Sequence, residues 1–170
     1  MTDVREPRRE LADSKTLLLD FLDFYRAVVA RKVSGLDPEE LGRSHLPSGW
    51  TPLELLKHLV YMEERWVRWG FAAEAVPHPW GDQDDEGRWQ VRPEETVDAL
   101  LAAMDLAGAR TREIASRSAL DDVAAVGGRF MTAAECPTLG WILFHVLQEY
   151  ARHAGHLDVA RELADGAVGE

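Results

Sequence analysis

The chain has 170 residues, a formal net charge of −11 at pH 7 and a single cysteine. This length predicts one domain over residues 1–170, with a core at about 11–165 and an N-terminal arm at 1–10. The negative charge argues against nucleic acid or an anionic membrane as a partner, because both usually require a basic patch. Neither a spanning apolar run nor a secretory signal is found, and Cys136 cannot form an internal disulfide, so we expect a cytoplasmic protein.

Four segments have the periodicity of amphipathic helices, and none alternates in the manner of a strand. The sequence therefore predicts an all-α protein. Thr51 is the expected N-cap of the second helix, because Pro52 suits the first turn and Glu54 completes a capping box. The four helices are expected at about 11–33, 51–73, 93–116 and 137 or 138 to 165. Helices of this length, with long connections after the second and third, predict a four-helix bundle.

The last helix carries an unusual group of polar residues in the segment HVLQEYARHAGHLDVARE, residues 145–162. At about 100° per residue, His145, Glu149, His153 and His156 fall within an arc of roughly 80° on one helix face. His153 is expected to point most directly inward, followed by Glu149, with the other two histidines nearer the rim. On the second helix, His58 borders the apolar stripe.

These residues are compatible with a metal site, and a simpler explanation stays open. An ionised carboxylate facing a bundle interior needs a cation or a strong donor, and Glu149 and His153, one turn apart, could reach a single ion. His58 taken alone is better explained as a boundary histidine satisfied by one hydrogen bond. The motif HExxH is absent, which argues against a zinc protease.

Two segments, GWTPLELLKHLVYMEERW at 49–66 and TLGWILFHVLQEYARHAGHLDVARE at 138–162, resemble the DinB-like proteins, a superfamily of metal-binding four-helix bundles. The resemblance is strongest to the branch of mycothiol-dependent transferases and mycothiol-dependent maleylpyruvate isomerase. It implies a metal held by His58, Glu149 and His153, with glutamate at a position where histidine is commoner in the family. Two imidazoles and one carboxylate suit zinc best, and nickel, iron or manganese are alternatives.

The resemblance implies a metal-dependent thiol S-transferase, in which mycothiol or a similar thiol attacks a small electrophile as a metal-bound thiolate. The alternatives are a non-catalytic metal-binding or stress-response protein and a metal-dependent hydrolase. His156 is a candidate catalytic residue, as a proton shuttle or a fourth ligand. Arg152 and Trp69 are candidates for contacting the thiol cofactor, although helical spacing places Trp66 and Trp69 in the core. A homodimer is one option for the assembly.

Overall fold

The computed structural model describes residues 4–169, and within this range the chain is helical and contains no strand. The all-α prediction is therefore confirmed. The first residues of the predicted arm, 1–3, and Glu170 lie outside the described residues. None of the described helices is both long enough and apolar enough to cross a membrane. The helices are α1 (Ser14–Ser34), α2 (Pro38–Leu41), α3 (Pro52–Glu63), a π-helix that continues α3 (Glu64–Phe71), α4 (Val97–Ser116) and α5 (Leu139–Asp165).

Local capping sets the start of α3 and both ends of α5. The Thr51 hydroxyl accepts a hydrogen bond from the Glu54 amide at 3.2 Å, and the Glu54 carboxylate accepts one from the Thr51 amide at 2.8 Å. This reciprocal pair is the predicted capping box. Thr138 caps the start of α5, and Gly166 ends it with a φ of 75°, a left-handed conformation that glycine adopts without strain.

Helix α4 begins later than predicted. Its N-cap is Thr96, and the preceding Glu95 folds back to accept a hydrogen bond from the Arg92 amide at 2.6 Å. The same carboxylate accepts a hydrogen bond from the buried Lys57 ammonium at 2.7 Å. Glu95 therefore fixes a turn before the helix, which delays the first helical residue to Val97.

The long helices pack around a shared apolar core. Helix α1 lies mainly against α5, and α3 lies mainly against α4, while α1 also contacts α4 and α3 also contacts α5. The core side chains that are fully buried and largest include Leu22, Leu55, Leu56, Leu59, Met104, Leu139, Ile142, Leu143 and Leu157. These residues come from all four long helices, so burying them joins the helices into one structure.

A buried ion pair crosses this core. Arg26 on α1 donates to Glu63 at the end of α3, with an Nε–Oε2 distance of 3.0 Å, and a second guanidinium nitrogen also contacts the carboxylate. The hydroxyls of Thr111 and Tyr150 donate to the same carboxylate at 2.5 and 2.8 Å. Helices α1, α3, α4 and α5 thus meet at Glu63, whose negative charge is fully compensated by its donors.

The second long helix changes its winding halfway. From Glu64 to Phe71 the hydrogen bonds close π-helical turns, and the Ala72 amide donates to the Val67 carbonyl, five residues back, at 3.0 Å. The wider turn shifts the inward face relative to α3. The expectation that both tryptophans lie in the core is therefore wrong for Trp69, which lines a surface cavity, whereas Trp66 is half-buried against the core.

Candidate metal centre

His58, Glu149 and His153 lie together where α3 faces α5. One potential ligand atom from each residue lies within 4.8 Å of the other two. His153 is buried at 5% exposure, and the other two side chains are mostly covered. The three residues singled out in the sequence are thus adjacent in space, and their side chains form one cluster at the edge of the core.

His58 is oriented by a buried carboxylate that does not belong to the cluster. Its Nδ1 lies 3.1 Å from Oδ2 of Asp82, which has no exposed surface. Arg65 binds both oxygens of Asp82, at 2.6 and 3.1 Å. Burial alone would raise the pKa of Asp82, but the hydrogen bonds from His58 and Arg65 outweigh it and hold the pKa below its usual value. An ionised Asp82 places the proton on Nδ1 of His58 and leaves Nε2 free as a ligand.

A tight turn between the second and third long helices brings Asp82 to this position. The Gln90 amide donates to the Asp82 carbonyl at 2.9 Å, and Gly87 closes the turn with a φ of 79°. The same turn presents Trp89, whose ring stacks on His58 with 4.2 Å between centroids and 20° between planes. Trp89 also meets the edge of His153 at 5.5 Å. One short segment therefore supplies both the orienting carboxylate and a cover for the two imidazoles.

The two ring nitrogens of His153 have different partners. Nε2 lies 3.1 Å from Oε2 of Glu149, and Nδ1 lies 3.2 Å from Nδ1 of His156. Burial, followed by the neighbouring His58, lowers the pKa of His153 to about 4. His153 is therefore neutral near pH 7, which is the protonation state that a metal ligand requires.

His145 lies one turn before Glu149 but outside the cluster. Its ring packs between Trp66, at a centroid distance of 4.3 Å, and Trp141, at 5.3 Å with nearly parallel planes. Burial lowers the pKa of His145. This agrees with the expectation that His145 lies nearer the rim than Glu149 and His153.

The three supporting candidates lie in different places. His156 is half-buried behind His153 and packs on Trp50 with 5.9 Å between centroids. Arg152 is exposed on α5, close enough to contribute to the lowered pKa of His153. Trp69 lines the cavity that also contains Arg129. Of these three described residues, His156 is the one whose side chain contacts the cluster, through the Nδ1 of His153.

The donor set suits a divalent transition ion. Two neutral imidazoles and a carboxylate are common ligands for zinc, nickel, iron(II) and manganese. Three protein ligands leave at least one coordination position open, as in catalytic sites. The Asp82 hydrogen bond to His58 matches the carboxylate–histidine arrangement found behind many metal ligands. The residues present therefore fit a bound ion.

Neither Asp82 nor Trp89 was predicted from the sequence as part of the site. Both lie in a segment without helical periodicity, where Asp82, Asp84 and Asp85 are equivalent by composition. Gly87 predicts a turn, but a turn does not determine which of the three carboxylates points toward the helices.

The described part of the chain thus defines an all-helical protein with a His–Glu–His cluster that has the donor set of a metal centre. The family model of mycothiol-S-transferase (MST) matches residues 17–166, and the chain belongs to this family. The match is consistent with the DinB-like branch indicated by the sequence. No curated protein and no solved structure matches the chain.

Proposed function

We propose that this protein is a metal-dependent S-transferase that joins mycothiol, or a similar low-molecular-weight thiol, to a small electrophile. The observation that carries the proposal is the cluster of His58, Glu149 and His153, with Asp82 behind it, in a chain of the mycothiol-S-transferase family. We further propose that α1, α3 with its π-helix, α4 and α5 form a four-helix bundle of the DinB kind. Their pairwise packing supports this arrangement.

His58, Glu149 and His153 would hold the ion, and the neighbouring residues would set their orientation. When bound, a divalent ion with an open position lowers the pKa of a thiol and supplies its thiolate. Asp82 keeps the proton of His58 on Nδ1, and Trp89 shields both imidazoles from water. Such shielding strengthens electrostatic interactions within the site.

His156 acts on the site through His153. Nε2 of His153 faces the Glu149 carboxylate, which accepts its proton when no ion is bound. With an ion at Nε2, the proton of His153 would reside on Nδ1 and be donated to Nδ1 of His156. That second hydrogen bond would favour the tautomer in which Nε2 is a ligand. We therefore assign His156 a positioning role.

The thiol cofactor has a suitable cavity beside the cluster. Its volume is about 530 Å³, and its walls include the rings of Trp50 and Trp89, which contact His156 and His58 respectively. Glu54 and Arg88 add polar groups to the lining. A thiol bound between the two rings would have its sulfur next to the cluster and its polar part near solvent.

The experiment measures the reaction of mycothiol with the electrophile 1-chloro-2,4-dinitrobenzene, catalysed by tag-free protein that has been loaded with zinc. We expect thioether formation above the uncatalysed rate only when thiol and metal are both present. The new sulfur–carbon bond replaces the carbon–chlorine bond, chloride leaves, and the thiol proton passes to the buffer. His153→Ala should lose activity and metal. Cys136→Ser should keep activity, because the attacking sulfur belongs to the added thiol.

Three results would contradict the proposal. Turnover at full rate without thiol would indicate a hydrolase that uses activated water. Protein that takes up no transition metal after loading would be a non-catalytic bundle. Loss of activity in Cys136→Ser with metal retained would place the nucleophile on the protein.

A further inference from the structure

Arg129 stands out among the charged residues of the described chain. Its Nη1 is the only buried side-chain nitrogen or oxygen in residues 4–169 that lacks a hydrogen-bond partner. Within residues 4–169 its guanidinium forms no ion pair, whereas Arg65, which shares the Trp80 ring with it, is bound to both oxygens of Asp82. A buried, charged donor without a partner is costly, typically by a few kcal/mol. An anion that accepts hydrogen bonds from this guanidinium would offset the cost of its uncompensated charge.

The fold holds Arg129 in place through the π-helix. The Arg129 amide donates to the Trp69 carbonyl at 3.1 Å, which ties the second long connection to the end of that helix. Gly128 permits this approach, because a Cβ there would lie 2.0 Å from the same carbonyl oxygen. The guanidinium carbon lies 4.2 Å from the ring centre of Trp66 and 5.5 Å from that of Trp80. Two aromatic faces thus restrict the side chain before any ligand binds.

Arg129 lines a cavity of about 520 Å³. Its walls are mostly apolar, and they contain one positive and one negative residue. The negative residue, Glu135, accepts hydrogen bonds from the amides of Met131 and Thr132 at 3.0 and 3.1 Å, and it forms no ion pair with Arg129. The lining consists of Trp69, Trp80, Arg129, Phe130, Met131 and Glu135.

The cavity is connected through Trp66 to the His145 end of the polar face of α5, whereas the proposed thiol cavity lies at the His156 end. Trp66 contacts both Arg129 and His145, and His145 precedes Glu149 by one turn of α5. His156, next to Trp50, is about 16 Å further along the helix axis than His145, at 1.5 Å per residue. Along α5, Glu149 and His153 therefore lie between the histidines that lead to the two cavities, an order compatible with a reaction between two small molecules.

We propose that Arg129 binds the carboxylate of a small organic acid in this cavity, and that the electrophile of the transferase belongs to this class. The second part rests on the proposed function. A carboxylate matches the planar guanidinium in two parallel hydrogen bonds, and the aromatic walls suit an apolar body. A phosphate dianion fits less well, because its two negative charges would face the single positive charge of Arg129. Glu135, which lines the same cavity, would add repulsion.

The test measures binding of 4-fluorobenzoate to chelator-treated protein by fluorine NMR, with 4-fluorobenzamide as the neutral isostere. We expect the acid to bind and the amide to bind at least tenfold more weakly, because the amide cannot compensate the guanidinium charge. Arg129→Met should weaken binding of the acid at least tenfold, and Arg129→Lys should do so less. Arg117→Met, which removes an exposed arginine directly after α4, is the matched control.

A second variant covers the case in which Arg129→Met does not fold. Glu135→Gln keeps an oxygen for the two amides but loses its charge, so it should tighten binding of the acid by about two- to threefold. Equal affinity for acid and amide, or unchanged binding in Arg129→Met, would overturn the subsite. So would loss of binding in Arg152→Met alone. Because the protein is metal-free, these results do not depend on whether the transferase activity exists.

Discussion

Nδ1 of His58 lies 3.1 Å from a carboxylate oxygen of Asp82, which is itself bound by Arg65. This contact joins a residue of α3 to one in the turn that follows the second long helix. The hydrogen bond fixes the ring of His58 and makes its other nitrogen a better ligand. Asp82 thus acts on the candidate metal centre without touching an ion.

We expect Asp82→Asn to weaken zinc binding about 10- to 100-fold, since a neutral amide no longer favours the proton on Nδ1 of His58. Calorimetric titration of the metal-free protein measures this change. Asp85→Asn, an exposed carboxylate three positions away, is the control and should bind zinc normally. Equal zinc affinity in both variants would show that Asp82 does not support metal binding by His58.

The role of Glu149 as a metal ligand can be tested by substitution, because histidine is the commoner residue at this position in the DinB-like proteins. Glu149→Ala should lower zinc affinity strongly, because one of three ligands is lost. Glu149→His should retain zinc, since an imidazole four residues before His153 lies on the same face and can reach the same ion. Metal content after gel filtration separates the two outcomes, with Glu162→Ala on the exposed face of α5 as the control. If Glu149→Ala kept its zinc, another residue such as His156 would have to be the third ligand.

His153 should make the metal-free protein sensitive to acid. Its pKa falls from 6.5 to about 4 on folding, through burial and the proximity of His58. Between these values the unfolded chain binds a proton that the folded chain does not, so the free energy of unfolding decreases as pH falls through this window. The loss from this residue is about 3 kcal/mol.

Urea unfolding at several pH values measures this effect. His153→Leu should flatten the dependence between pH 6.5 and 4, whereas His78→Asn, an exposed histidine, should leave it unchanged. Parallel curves for the parent and His153→Leu would show that other groups cause the acid sensitivity.

Glu63 should be among the most important residues for stability. Glu63→Ala leaves Arg26 buried and unpaired and removes the acceptor of Thr111 and Tyr150, so we expect a loss of about 3–5 kcal/mol. Glu64→Ala, the next residue, breaks only a partly exposed pair with Arg68 and should cost less than about 1 kcal/mol. Chemical denaturation compares the two, and similar losses would contradict a compensating role for Glu63.

The sequence predicted the cluster because α5 is regular. Over Leu139–Asp165 the chain keeps one helical step, so spacing alone placed Glu149 and His153 on the inward face. Periodicity placed His58, on α3, only at the border of the apolar stripe, and the resemblance to the DinB-like proteins joined it to the other two. Within a regular helix, the direction of a side chain follows from its position number.

The remaining features depend on contacts between distant segments. The π-helix has no sequence signal comparable to a cap, and its wider turn moved Trp69 from the predicted core face to a cavity. Asp82 and Arg129 lie in connections, where orientation is set by a turn and by hydrogen bonds to another segment. These contacts could not be inferred from periodicity.

The change from α3 to the π-helix divides one continuous helix into two sections that contact different parts of the protein. The first section carries His58, and the second offers the carbonyls of Trp69 and Phe71 to the amides of Arg129 and Ala125. Substitutions around the second section can alter which acids enter the Arg129 cavity while the spacing of His58, Glu149 and His153 stays the same. A lineage of such proteins could therefore change this cavity while the His–Glu–His cluster keeps its geometry.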